Sequence, residues 1–422
     1  MRSVWAIGLL CIGCTSLWAQ AGRSGSVYSR FGIGDLWIPA SGASSAMGYS
    51  GLASVSQRDW NFMLPASWAE LPFMRASARL YLQGWQYSSE IQSARLLSGS
   101  IAEVALGFPV GKRLGFGFGF WPYSQVGYRI RQSGQVQEQA YTVRAEGEGG
   151  LHQLTLGAGL GLGHGLSLGL GLVRWMGAIS REWTVQFTQD SVASFLDSRY
   201  RRYSRYAGWG GAVSVLYVHR SPDRRGPVWS FALQWTSPSR LQGYRNWMLQ
   251  YGQLSSNLLT TDTLEVPRTG RLDIPARWSV GLAWHRGERL GAQLEFAYQP
   301  WSRFQSTLPV ELDSPRDGWR LGLGGFVVPD PENLTGYLQR IIYRAGVLYE
   351  QTPLLLRHRP INRWGITFGL GLPTRDPRIS VDINMEIGQR GTVAAGLVRE
   401  WQYRLSVTLN YAERWFVRRR LE

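Results

Sequence analysis

Between Leu154 and Trp175 the chain alternates with period two. Gly157, Gly159, Gly161, Gly163, Gly165, Gly169 and Gly171 fall on one parity, and Leu154, Leu156, Leu160, Leu162, Leu166, Leu168, Leu170 and Leu172 on the other. Such alternation marks a strand, because a helix face repeats every three or four residues. A helix this rich in glycine would also lose about 1 kcal/mol per glycine relative to alanine. The stretch therefore reads as two strands joined by a tight turn at Gly163-His164. Its length and low charge mimic a membrane helix, and its glycines mimic a phosphate loop. Gly165, Ser167 and Gly169 mimic the G-x-S-x-G of a hydrolase elbow. All three matches are by-products of the alternation.

The same period recurs downstream. Trp278, Val280, Leu282 and Trp284 alternate with small residues, and so do Leu290, Ala292, Leu294, Phe296 and Tyr298. Trp364 to Leu372 and Ile379 to Ile387 repeat the pattern. One parity is apolar with aromatic ends, and the other is small or polar. This predicts an all-β fold, a transmembrane antiparallel barrel with an apolar outer face, a polar lumen and aromatic girdles. Strands are expected at 74–84, 98–108, 113–131, 140–162, 165–188, 203–219, 227–237, 272–286, 289–299, 318–328, 340–350, 363–372, 378–388 and 400–411. That makes about fourteen, an even number as bacterial single-chain barrels have. Their connections alternate between short and long, with Asp190–Arg202, Ser237–Arg271, Pro300–Asp317 and Gln351–Asn362 as the long external loops.

Composition agrees with this picture. The 422 residues include 51 glycines and 20 tryptophans, yet only 44% are hydrophobic, as expected when apolar residues occupy alternate positions. The net charge of +16 is almost wholly arginine, since Lys112 is the only lysine. These arginines are scattered at strand ends and loops, without a basic helix, which argues against nucleic acid and for phosphate contacts at a lipid surface. Arg418, Arg419 and Arg420 are the one compact cluster.

The N-terminus predicts export. Arg2, the apolar run Val4–Leu10 and the A-x-A-like Ala19-Gln20-Ala21 describe a signal peptide over residues 1–21. Cleavage there removes Cys11 and Cys14, so the mature chain would hold no disulfide or thiolate metal site. A lipoprotein anchor at Cys14 is the alternative, with Cys11 standing where that motif prefers leucine. Residues 22–73 lack clean alternation and are rich in Gly, Ser and Ala, which suggests a periplasmic arm or a segment inside the lumen. The inward glycines of the fourth and fifth strands leave room for such a segment, although glycine also permits strand curvature.

"SVYSRFGIGDL" (Ser26–Leu36), "AMGYSGLA" (Ala46–Ala53) and "NFMLPASWAEL" (Asn61–Leu71) resemble FadL-like outer-membrane transport barrels, in the form common in Bacteroidota-type bacteria. "GEGGLHQLTLGAGL" and "RGTVAAGLVREWQYRLSVTLNYAERWF" look like the same family. The resemblance implies a fourteen-stranded barrel over 74–422 with an N-terminal hatch over 22–73. By it, Tyr28, Phe31 and Asp35 belong to the hatch start, and Asn61, Pro65 and Ala66 match an N-P-A-like hatch motif, with Leu64 where that motif has asparagine. Pro122 in the third strand removes a ladder donor and can bend the strand, which fits the lateral opening that the resemblance implies.

Catalysis finds little support. Among the five histidines, His164, His219 and His285 fall near periplasmic turns, His358 in a loop and His152 at a strand start, with no serine defensibly opposite any of them. Dispersed histidines also argue against a metal site, and no cofactor is implied. Inward parity does gather polar groups: Asp382, Asn384 and Glu386 on one strand, Arg404, Ser406 and Asn410 on the next, and Gln293 with Glu295 on another wall. They read either as a polar track or as an ion-pair network bracing the barrel.

The function expected from the resemblance is passive outer-membrane transport of a fatty-acid-like small molecule, with lateral exit at Pro122. The alternative is a non-transporting barrel that docks secretion or membrane-assembly proteins, for which the Ser237–Arg271 loop is suited. Expected partners are outer-membrane lipid and lipopolysaccharide, a hydrophobic ligand, and other outer-membrane or secretion proteins.

Overall fold

A computed structural model describes residues 25–55, 60–89, 93–136, 139–187, 196–223, 226–253, 258–312, 314–333 and 336–414. The signal peptide and the arginine cluster at 418–420 lie outside the described residues.

A short strand, β1 (Asp35–Leu36), belongs to the N-terminal segment. The wall begins with β2 (Met74–Ser88), β3 (Ser93–Val110), β4 (Leu114–Val136), β5 (Gln139–Gly163), β6 (Leu166–Phe187) and β7 (Asp197–Arg220). It continues through β8 (Pro227–Thr236), β9 (Ser239–Gln253), β10 (Leu258–Ile274), β11 (Arg277–Arg286) and β12 (Leu290–Gln299). A two-residue β13 (Gln305–Ser306) sits in a connection. Then β14 (Gly318–Val327), β15 (Ile342–Leu356), β16 (Arg359–Pro373), β17 (Ile379–Arg390) and β18 (Arg399–Glu413) complete the wall. β8 and β9 are two halves of one wall strand, interrupted at Ser237-Pro238, and both pair with β7. β10 and β11 are likewise one strand interrupted at Pro275-Ala276. β18 pairs with β2 from Glu413 opposite Met74 to Arg399 opposite Ser88, which closes an antiparallel barrel of fourteen strands.

Two expected loops are strands. Ser237–Arg271 forms the hairpin of β9 and β10, and Gln351–Asn362 is the end of β15 turning tightly at Arg357-His358 into β16. Polar and arginine residues hide the alternation in the first, and the run Leu354-Leu355-Leu356 hides it in the second. His152 also lies well inside β5, not at its start. The wall is uneven in height: β4 to β7 run to 23, 25, 22 and 24 residues, whereas β12 and β14 have 10 each. A bilayer needs only about 9–11, so one side of the wall stands well above it.

The pattern of burial is inverted, as a lipid-facing barrel requires. Leu80, Leu82, Leu170, Leu282, Phe368 and Leu405 are exposed, while Arg79, Thr367, Asp382, Glu386 and Thr408 are buried. Trp229 stacks near Trp284 at 6.1 Å and Trp235 near Trp278 at 6.0 Å on the same two strands. These pairs are six residues apart, roughly 20 Å along the strand, and mark the two girdles.

One seam is unsealed by wall strands. β3 and β4 pair only from Val110 opposite Leu114 to Val104 opposite Phe120. They part next to Pro122, where the β4–β5 register also shifts. Into this gap comes β1, with Asp35 opposite Gln125 and Leu36 opposite Ser124.

Candidate functional site

The residues singled out by sequence converge on the interface between the N-terminal segment and the inner wall. Ser26 caps a short 3-10 turn, Val27–Arg30, through a bond from the Tyr28 amide. Tyr28 is buried and donates its hydroxyl to the Val398 carbonyl at 2.5 Å. Burial pushes this phenol up to about 12, and the nearby Glu400 carboxylate adds to the rise. Phe31 closes the turn, with the Arg30 guanidinium 4.6 Å from its ring centre. Asp35 accepts two bonds from Arg390, at 2.8 and 2.9 Å. Arg390 also binds Glu400 at 2.8 Å, and Glu400 accepts from Ser26 and from the Val27 amide.

Beyond β1 the Trp37 amide donates to the Tyr123 carbonyl at 2.8 Å. The Trp37 ring lies 5.0 Å from Tyr81 across the seam and under Arg404 at 4.4 Å. β1 and Trp37 thus bridge both sides of the gap. Pro122 marks where the wall parts.

The predicted lumenal residues are all inward, and nearly all their polar atoms are engaged. Glu295 accepts from the Gly51 and Leu52 amides at 3.0 Å each and pairs with Arg320 at 2.5 Å. Arg320 in turn donates to the Tyr49 carbonyl at 2.8 Å. Asp382 pairs with Arg344 at 2.6 Å, and Asn384 donates to the Gly42 carbonyl at 2.8 Å. Glu386 holds Arg363, Arg404 at 3.2 Å and the Tyr49 hydroxyl at 2.5 Å. Burial raises the Tyr49 phenol, so it stays neutral and able to donate. Buried charges tolerate removal from water only when paired and hydrogen-bonded in this way.

Part of the glycine parity that opens the sequence reading, at Gly159 and Gly169, finds its reason here. Pro65 begins a 3-10 helix, Pro65–Glu70, whose backbone lies directly on β4, β5 and β6. A Cβ at Gly115 would stand 1.9 Å from the Trp68 carbonyl oxygen, one at Gly159 2.3 Å from that of Pro65, and one at Gly169 2.1 Å from the Ala66 nitrogen. A second platform of Gly322, Gly324 and Gly346 meets the backbone of Met47-Gly48 in the same manner. Close approach, more than curvature, explains these glycines. Asn61 binds its own segment, donating to the Gly51 and Leu52 carbonyls at 3.0 and 2.7 Å. Leu64, where the hatch motif has asparagine, is fully buried beside Leu52, Ala66 and Leu216 and provides packing in place of a cap.

Between the segment and the wall lies a cavity of about 40 Å³, bordered by Leu52, Trp121, Tyr123, Trp175, Arg277 and Glu295. That is room for a few ordered waters. Sequence reasoning missed Arg320, Arg344, Arg363, Arg390, Glu400 and Tyr49. A signal existed, because Arg320 and Arg344 share the parity of the inward glycines on their strands.

A family model described as BamG matches residues 1–422. The chain belongs to the BamG family. No curated protein matches it. Solved structures similar to this BamG-family chain include a FadL homologue of Pseudomonas aeruginosa, at 16% identity and a TM-score of 0.61, covering 89% of this chain and 99% of that one. The toluene transporter TodX of P. putida matches at 13% identity and 0.58, covering 90% and 100%. CymD, a monoaromatic hydrocarbon channel, matches at 14% and 0.56, covering 90% and 98%. At such identities the shared property is the fold, an outer-membrane β-barrel of FadL-like architecture.

Proposed function

We propose that this BamG-family barrel is a closed, non-catalytic outer-membrane subunit that serves other membrane-assembly or secretion proteins as a docking or accessory partner. The N-terminal segment acts in it as a fixed plug. The observation that carries this reading is the set of buried charges from β12, β14, β15, β16, β17 and β18 that engage the plug or brace its seat. A plug that swings aside would leave these pairs intact. It would take Asp35 from Arg390 and the plug's donors from Glu295, Glu386 and Glu400, each bond to a charged group being worth about 1.5–3 kcal/mol. The cavity of about 40 Å³ is too small for a fatty acid. Export by a cleaved signal peptide and a Bacteroidota-type source belong to the same proposal.

The transport reading rests on a different observation, the seam between β3 and β4 beside Pro122. In that reading a hydrophobic molecule leaves the lumen there once β1 withdraws.

Gentle extraction from the native outer membrane followed by native mass spectrometry separates the two. A stoichiometric protein partner without a small ligand supports the accessory subunit. A retained hydrophobic molecule, displaced by added oleate, supports transport and overturns the first reading.

A further inference from the structure

The outer face of the tall wall carries a groove. The register aligns Gly107 with Gly117, Gly117 with Gly157 and Gly157 with Gly171 across β3 to β6. Outside this row of small residues lies a depression of about 820 Å³ bordered by Phe108, Phe116, Leu156, Leu170, Val213 and Trp235. Its large side chains are apolar and belong to the outward parity, so it opens at hydrocarbon depth.

Arg174 sits two residues beyond Leu172 on the same face of β6, about 7 Å further along the strand, on the side of the long connections. Trp209 stands opposite it in the register, and the guanidinium lies 4.6 Å from the indole centre. Its hydrogen bond to the Gly208 carbonyl is a long one, 3.4 Å. Arg205, four residues from Trp209 on the same face of β7, is exposed. Several nearby outward arginines have acidic partners, Arg129 with Glu146 at 2.9 Å, Arg199 with Glu182 at 3.3 Å and Arg240 with Asp273 at 3.2 Å, while Arg201 beside Arg205 reaches only the Ser180 hydroxyl. Arg174 and Arg205 have none among the described ion pairs. Both stand beyond the Trp235 girdle on the outward face, Trp209 four residues and Arg205 eight residues past Val213, where outward guanidinium groups are placed to meet an anion at head-group level. Guanidinium groups are suited to phosphate, which they bind in a bidentate manner.

We infer that this face binds a phosphorylated lipid of the outer leaflet, with one acyl chain in the groove and its phosphate on Arg174 and Arg205. Trp209 holds the Arg174 guanidinium flat at the rim. The juxtaposition of an unpaired cation pair with an apolar groove on one outward face selects a lipid, since neither half alone recognises both ends of the molecule.

The test is native mass spectrometry of the full chain in a neutral detergent, titrated separately with dioleoyl phosphatidic acid, dioleoyl phosphatidylcholine and inorganic phosphate. One tightly retained phosphatidic acid is expected, with phosphatidylcholine weaker. Arg174→Gln with Arg205→Gln should weaken retention about tenfold, the scale of a lost charge-assisted bond. Ala158→Phe, which fills the groove from the lipid side, should weaken it with both arginines present. Equal retention of the two lipids, or variants that bind as the unaltered chain does, would overturn the site. Displacement by inorganic phosphate together with an inert Ala158→Phe would assign the arginines to free phosphate and overturn the lipid.

Discussion

Arg390, the last residue of β17, grips Asp35 of the plug with two bonds at 2.8 and 2.9 Å while holding Glu400 at 2.8 Å. One guanidinium thus ties the strand that fills the seam to the wall on the β3 side, three strands away. Removing it leaves two carboxylates facing each other without a counter-charge. Arg390→Ala should loosen residues 26–38 locally by about 3 kcal/mol, and hydrogen exchange there should speed up while β4 to β7 stay protected. Unchanged exchange at 26–38 would show that the clamp contributes nothing.

The glycine platform makes a sharper steric prediction. Gly169→Ala places a methyl where the Ala66 nitrogen now lies, at 2.1 Å, so the 3-10 helix must lift. Gly161→Ala is the control, because its nearest neighbour would be an ordinary 3.6 Å away. Tryptophan fluorescence should report the displacement through Trp68, which is buried against this wall. Equal spectra for the two variants would contradict seating of the plug on bare backbone.

Tyr28 gives the plug a pH dependence. Its phenol is raised by burial to about 12, so the neutral form is favoured when folded. That contribution is complete below the ordinary tyrosine range near 10 and is lost as pH climbs from there through 12. The phenolate absorbance of the unaltered chain minus that of Tyr28→Phe should show a component titrating well above 10. A difference component with a midpoint near 10 would mean that Tyr28 is not held in the buried position.

How far the sequence carries the structure follows from where the alternation survives. From Leu154 to Leu172 and from Trp364 to Leu372 one face meets lipid and the other meets the lumen, so parity alone assigns every side chain. At Ser239–Ile274 polar and arginine residues hide the alternation, Pro238 and Pro275 interrupt the ladder, and the hairpin reads as a loop. The lumenal carboxylates Glu295, Asp382 and Glu386 are legible as inward. Their partners are not, because Tyr49 bonds to Glu386 across 337 positions and Ser26 to Glu400 across 374. Such pairings come from closing the barrel around the segment, and no local pattern encodes them. Leu64 belongs to the same group: it departs from the motif because its neighbour is Leu216, far along the chain.

The central claim is that the plug stays seated. Leu36 and Ser124 are directly opposed in the β1–β4 register, and the Cα spacing of such pairs suits a disulfide. A chain carrying Leu36→Cys and Ser124→Cys can therefore be locked across the seam by oxidation and released by reduction. Uptake of labelled oleate and toluene into vesicles containing it should be measured in both states, beside the unaltered chain and protein-free vesicles. The closed-barrel account predicts uptake at the protein-free level in every case. Uptake by the unaltered and reduced chains that oxidation abolishes would contradict it and make the seam an exit.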